Sequence, residues 1–250
     1  MKRTFGVFLM VIFFLATITT ALCSDTSYNL PELYMTASLP DDYTVFTRDT
    51  EENDPNLADF GIDIDTLNTM FEQKNIYLNA ISEDMSDELI ITMVTNDDIK
   101  KAFNLKNASD KDMEDFLADT DSVFDGLGAT LEDTSSYEHK QALFMVFDFS
   151  MTTNGVPTSS RMYSTIINGQ FINITFHSYT GAFSETQGAL LSQIVDSAVF
   201  TMQSSIDWTS VIISGLSVGL AAGIATLVVN IIKKRRQKKN DKNLTEPPVS

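Results

Sequence analysis

Cysteine occurs once in these 250 residues, at Cys23, and histidine twice, at His139 and His177. A zinc site wants three or four His or Cys ligands at short spacing, so none is expected. With no cysteine beyond residue 23, no disulfide staples the rest of the chain, and its fold must rest on core burial. Positive charge is scarce too: residues 24–207 carry 8 Lys and Arg against 32 Asp and Glu, a formal charge of −24. Phosphates would be repelled by such a domain, which excludes nucleic acid as a partner. The same excess should hold it off an anionic lipid surface unless divalent cations bridge the two. No Gly-x-Ser-x-Gly elbow accompanies either histidine, so a nucleophilic triad has no visible frame.

What is present begins with a run from Trp208 to Ile232 that contains no charged side chain. As a helix rising 1.5 Å per residue, it is long enough to cross a hydrocarbon core of roughly 30 Å. Lys233, Lys234, Arg235, Arg236, Lys238 and Lys239 follow at once. Basic residues stay on the cytoplasmic side, so the tail 233–250 is expected inside and residues 24–207 outside. Gly215, Gly219 and Gly223 recur every four residues, making one smooth helix face suited to a homodimer or to pairing with another membrane helix. Met1-Lys2-Arg3, an apolar stretch from Phe5 and small residues up to Ser24 read as a secretory signal, residues 1–23. Cleavage after Ala21 or Cys23 and retention as a second anchor are both compatible with this pattern, and both leave the domain outside. Cys23 sits where a lipid-modified cysteine would, although Leu22 before it is not small; the alternative is loss with the signal.

Between these ends, apolar patterning alternates between the two regular periods. Leu30 to Leu39 and Tyr43 to Thr47 read as strands about the turn Pro40-Asp41-Asp42. Arg48 to Asp59 is acidic and contains Asp54-Pro55, so a loop or a single helical turn is expected. Asp63 to Lys74 places Ile64, Leu67 and Phe71 at helical spacing. Ile76 to Ile81 and Glu88 to Thr95 predict a hairpin, Asp97 to Phe103 a brief helix, and Asp110 to Leu127 a longer one striped by Met113, Phe116, Leu117, Val123, Phe124 and Leu127. Thr130 to His139, Gln141 to Thr152, Arg161 to Ile167 and Phe171 to Tyr179 are rich in β-branched and aromatic residues. Asn154-Gly155 and Asn168-Gly169 between them are strong hairpin signals, so an antiparallel meander is predicted. Ser184 to Phe200 reads as a closing helix, with Ser184 and Gln187 set for a capping box.

Leu39-Pro40-Asp41-Asp42-Tyr43-Thr44-Val45, Asn75-Ile76-Tyr77-Leu78-Asn79-Ala80-Ile81, the paired strands around Asn168-Gly169 and the terminal helix together resemble PsbP/Mog1-like domains over most of Tyr34 to Phe200. The resemblance implies an α+β fold, an antiparallel sheet flanked by helices on both faces as an α/β/α sandwich. It brings no catalytic signature with it, and the family's roles are too varied to transfer one.

Candidate chemistry is thin. His139 falls at a turn and is expected to face solvent; His177, in a strand, is expected at the sheet surface or half-buried. Asp63-x-Asp65 and Asp110-x-Asp112-x-Glu114 begin like a calcium loop but lack the glycine and the closing glutamate. Asp49, Glu51, Glu52 and Asp54 could gather a divalent cation weakly or simply keep the surface soluble. Asn107-Ala108-Ser109 and Asn173-Ile174-Thr175 match the glycosylation pattern by chance. The expected protein is a single-pass membrane protein, without cofactor, whose outer domain binds or assembles with an envelope partner or a small ligand. Two alternatives stand beside it. One is an envelope hydrolase whose scattered carboxylates work with His177, and the other a sensor subunit acting through a partner membrane protein. A pocket holding His177 beside two carboxylates would favour the enzyme; an apolar groove without titratable groups would favour binding.

Overall fold

The computed structural model describes residues 25–102, 104–118, 120–153 and 155–202. The segment 1–23, Gly215, Gly219, Gly223, the basic residues from Lys233 to Lys239 and the expected span 208–232 lie outside the described residues. Within those residues no helix is long and apolar enough to cross a membrane.

Among the described residues, ten strands form two antiparallel sheets. The larger has seven strands in the order β3 (Tyr43–Thr47), β4 (Ile76–Ser82), β5 (Asp87–Val94), β9 (Gln170–Ser178), β8 (Val156–Ile167), β7 (Leu143–Thr153) and β6 (Ala129–Glu138). The expected hairpin and meander are both there. Asn168 at φ 54° and Gly169 at φ 72° make the two-residue turn between β8 and β9, the left-handed pair that matches strand twist. A Cβ on Gly169 would also lie 3.1 Å from the Lys100 backbone. Replacing Gly169 with Ala is therefore expected to destabilise by more than about 1 kcal/mol, read as a lowered urea midpoint at unchanged slope.

The helices are set by their caps. Asp54 accepts from the Asn56 amide to open α1 (Pro55–Phe60), with Pro55 in the first turn. Asp63 accepts from the Thr66 amide at 2.7 Å to open α2 (Ile64–Lys74). Ser109 and Asp112 form a capping box at α3 (Asp110–Leu117), and Ser184 with Gln187 form the expected one at α5 (Glu185–Ser197). Each satisfies amides that the helix start leaves without partners.

Three expectations need correction. The single helix over Asp110 to Leu127 is two, α3 and α4 (Thr120–Gly126), and the bend lets Phe116 and Phe124 both bear on Phe147 of β7. Leu30 to Leu39 is not one strand. Pro31, which cannot donate to a ladder, starts a 3-10 turn Pro31–Leu33, and Tyr34 at φ 50° reverses the chain between β1 (Asp25–Leu30) and β2 (Met35–Pro40). The closing helix stops at Ser197; Ala198 is extended, and β10 (Val199–Phe200) pairs with β2. Strands β1, β2 and β10 thus make a separate three-stranded sheet, and β2 and β3, though joined by a short turn, belong to different sheets.

Three layers result. One face of the large sheet packs Leu89, Ile91, Ile172, Ile174, Phe144 and Phe176 beneath α5 and the small sheet, which bring Leu191, Ile194, Val195, Met35, Leu39 and Phe200. The other face is divided. Under α1 and α2 lie Phe46, Ile81 and Ile90 with Leu57, Leu67 and Phe71; under α3 and α4 lie Phe147, Phe149, Met162 and Phe171 with Phe116 and Phe124. The α+β class and the helices on both faces match the expectation, except that the small sheet shares one outer layer with α5.

Candidate functional site

Two polar regions stand out, one enclosed and one open. The enclosed one separates the two apolar clusters on the divided face. Strand alternation puts Glu88 and Thr92 of β5, Asn173, Thr175 and His177 of β9, and Ser160 and Ser164 of β8 on the same side as Asn79 of β4, and all eight are buried. Asn79 Nδ2 donates to Glu88 Oε1 at 2.6 Å, and the Tyr179 hydroxyl donates to Glu88 Oε2. Ser164 donates to Asn173 Oδ1 at 2.7 Å, and Asn173 Nδ2 donates to Thr92 at 3.3 Å. His177 Nδ1 meets Ser160 Oγ at 2.7 Å, its ring lying between Phe149 and Tyr179. His177 Nε2, Thr175 Oγ1 and Asn79 Oδ1 are enclosed without a hydrogen-bond partner.

His177 is therefore not at a surface, as its alternating polar neighbours suggested. It is fully buried, and burial pushes its pKa down to about 3, so the imidazole is neutral near pH 7. Burial raises the Tyr179 phenol, with the Glu88 carboxylate adding to the effect. A serine, a histidine and a glutamate on adjacent strands invite comparison with a triad. Yet the glutamate is held by Asn79 and Tyr179, and the serine is as enclosed as the histidine, so substrate has no approach to either. His177 thus does not sit in an open pocket beside two carboxylates, the arrangement that would have favoured the hydrolase alternative.

His139 also departs from expectation. It is buried rather than solvent-facing, its ring set edge-on to Phe144 and Phe200 and its Nδ1 accepting from the Gln141 amide. Burial is the main cause of its lowered pKa. Asn173 of the second glycosylation match is fully buried within the polar strip. The calcium candidates are scattered. Asp63 and Asp112 serve as helix-cap acceptors, which holds both carboxyls below their usual range, and Asp54 caps α1. Among the described residues no three His, Cys, Asp or Glu side chains converge on a point that could hold a metal ion, around Asp49, Glu51, Glu52 and Asp54 or elsewhere.

The open region is a groove of about 570 Å³ at one end of the large sheet. Three separate segments build it: Pro40, Asp42 and Tyr43 from the β2–β3 turn, Ser82, Glu83, Asp84, Ser86 and Asp87 from the β4–β5 turn, and Thr186, Gln187 and Leu190 from the start of α5. Asp84 accepts from the Ser86 amide at 3.0 Å, the main cause of its lowered pKa, and from Ser82 Oγ at 2.9 Å, and the two bonds tighten the turn. Asp87 is raised by burial, opposed by a 2.6 Å bond from Gln187 Nε2. Burial first, and then the carboxylates of Asp87, Asp42 and Asp84, raise the Tyr43 phenol. Asp42, Glu83, Asp84 and Asp87 line the groove, and none of its described lining residues is Lys or Arg. Such a concave surface can hold a cationic group against several carboxylates. Its described lining residues include no histidine or cysteine.

Sequence reasoning assigned Ser82 to Asp87 to a turn and missed the groove, because its walls lie about forty and a hundred residues apart in the chain. The capping box at Ser184 was the one local signal, since Gln187, which completes it, also reaches Asp87 and Ser178.

No family model and no curated protein matches the chain. Among solved structures, the PsbP of Synechocystis is similar over 73% of this chain and 96% of its own, at 10% identity and a TM-score of 0.45. The immunity protein TplEi of the type VI secretion system of Pseudomonas aeruginosa covers 70% of this chain and 96% of its own, at 8% identity and 0.39. A Mog1 protein covers 72% and 98%, at 10% identity and 0.32. PsbP and Mog1 were the two names in the sequence resemblance. Likeness at this level carries no function across.

Proposed function

We propose that residues 25–202 form a non-catalytic docking module, displayed outside the cytoplasmic membrane on the anchor 208–232, whose acidic groove receives a basic segment of an envelope protein. The observation that carries this reading is the groove lined by Asp42, Glu83, Asp84 and Asp87 without a cationic neighbour in its described lining. The Tyr43 phenol is raised first by burial and then by the carboxylates of Asp87, Asp42 and Asp84, which all lie close to it. A cation entering would relieve repulsion among these carboxylates, and potential complementarity of this kind sets orientation and encounter rate. The enclosed His177 argues against chemistry in the polar strip, and the paired start of α5 gives the groove a rigid wall.

The test uses full-length protein in detergent and a Lys- and Arg-rich peptide as probe. Binding should weaken as salt is raised. The double variant Asp42→Lys with Glu83→Lys should lose about tenfold or more, since each reversal costs on the order of 1 kcal/mol or more of charge pairing. Both side chains are exposed at turns, so the fold should survive the change. An affinity indifferent to salt and to the double reversal would remove the proposal.

A further inference from the structure

The pole opposite the groove has a different surface. Tyr34, Val199 and Met202 are 41%, 55% and 42% exposed, three of the four large apolar side chains exposed among the described residues. They lie together, because the Thr201 amide donates to Tyr34 O at 2.7 Å and Val199 pairs with Thr36 of β2. Asn168 of the β8–β9 turn donates to Thr201 O, and Gln141 bridges to Phe200 O. Around this patch the scarce positive charges gather. Lys100 lies against the Gly169 turn, with Lys101 beside it, and Lys106 and Lys140 flank the contact of Asn104 with Gln141 O. Lys74 ends α2 at the same pole, and Arg48 lies over the Tyr77 ring with its Nε donating to Ile76 O.

Six of the eight Lys and Arg of residues 24–207 are therefore at this end. Glu32, Asp49, Glu72, Asp97, Asp98, Glu138 and Asp196 share this end with them, and Lys100 and Lys101 pair with Asp97 and Asp98. Positive charge nearly offsets negative charge at this end, and most of the domain's net negative charge resides elsewhere. From Met202 to Trp208, the first residue of the anchor, the chain reaches at most about 20 Å.

We propose that the pole centred on Tyr34, Val199 and Met202 rests in the headgroup region of the bilayer that anchors the chain, holding the acidic groove outward. This rests on the reading of 208–232 as a membrane span. An exposed aromatic and two flexible or branched apolar side chains suit the interface, where an apolar body is sheltered and a polar tip stays wet. The charge distribution gives the same orientation. A domain of formal charge −24 is repelled by anionic headgroups at every surface but its near-neutral pole.

The experiment uses the full chain carrying Cys23→Ser, reconstituted in phosphatidylcholine and phosphatidylglycerol vesicles. A single spin label is placed at Lys140→Cys, beside the patch, or at Glu83→Cys, in the groove. Collision with a water-soluble nickel chelate should be severalfold lower at 140 than at 83, and the difference should vanish when V199D and M202D are introduced together. Equal accessibility at the two positions, or shielding at 140 that survives the double variant, overturns the docking while leaving the anchor standing if carbonate does not extract the protein. Extraction by carbonate overturns the anchor, and this inference with it.

Discussion

Replacing Glu88 with Ala is expected to cost the domain about 3–5 kcal/mol, a large share of the stability of an ordinary domain. Glu88 is fully buried and accepts from both Asn79 Nδ2 and the Tyr179 hydroxyl. Alanine would leave the buried Asn79 amide and the half-buried Tyr179 hydroxyl facing a cavity, and a stranded buried donor carries a desolvation penalty of about 1–3 kcal/mol. The strip already contains three enclosed polar atoms without partners, so little slack exists to re-pair them. Glu88→Gln keeps the shape and one acceptor and should cost clearly less. Urea melts of both variants decide the matter. A loss for Glu88→Ala below about 1 kcal/mol would mean that the carboxylate is not the hub of the network.

Acidification is expected to weaken the fold well before the bulk of the carboxylates titrate. His177 has its pKa held down to about 3 in the folded state by burial. Unfolded, it titrates near 6.5, so between the two values the unfolded chain binds a proton that the native one refuses. Its contribution is intact above about pH 6.5 and falls as pH drops, by about 2 kcal/mol between pH 7 and pH 5. His139, lowered chiefly by burial, adds in the same direction. Asp63, Asp84 and Asp112, whose pKa values are lowered by hydrogen bonds, act with the same sign but only below the ordinary carboxylate range. Asp87, raised by burial, acts oppositely. The window from pH 7 to 5 is therefore governed by the histidines, with Asp87 opposing them. His177→Gln should be less stable at pH 7 yet show a flatter decline across that window. A decline as steep as that of the native chain would assign the effect to other groups.

The residues that announced themselves are those whose structure is decided locally. Asn168-Gly169 sets its own turn, and Ser184 with Gln187 sets its own cap. The meander and α5 were legible for that reason. What stayed hidden depends on partners distant in sequence. Met35 pairs with Phe200, a contact that no pattern around either residue encodes, so the small sheet was missed and β10 was absorbed into a helix. Asn173, Thr175 and His177 alternate with apolar residues as a solvent-facing strand would. Their face is roofed by helices, so polarity here marks an internal network and not a surface. His139 was misread because charged, exposed Glu138 and Lys140 flank it while Phe200 arrives from sixty residues away to cover it. The groove suffered likewise, with each wall an unremarkable turn or helix start on its own.

The pairing of β2 with β10 also bears on the order in which the protein can mature. Strand β2 lies near the beginning of the domain, and it gains its second neighbour only when residues 199–200 arrive. A chain delivered from its amino end would thus form the meander while β2 still had an open edge, and would seal that edge in one late step. The seam lies a few residues ahead of the proposed anchor. Insertion into the bilayer and closure of the last ladder would then be near-simultaneous events, so a truncation before residue 199 should leave a template for aberrant strand addition and not merely a shorter domain.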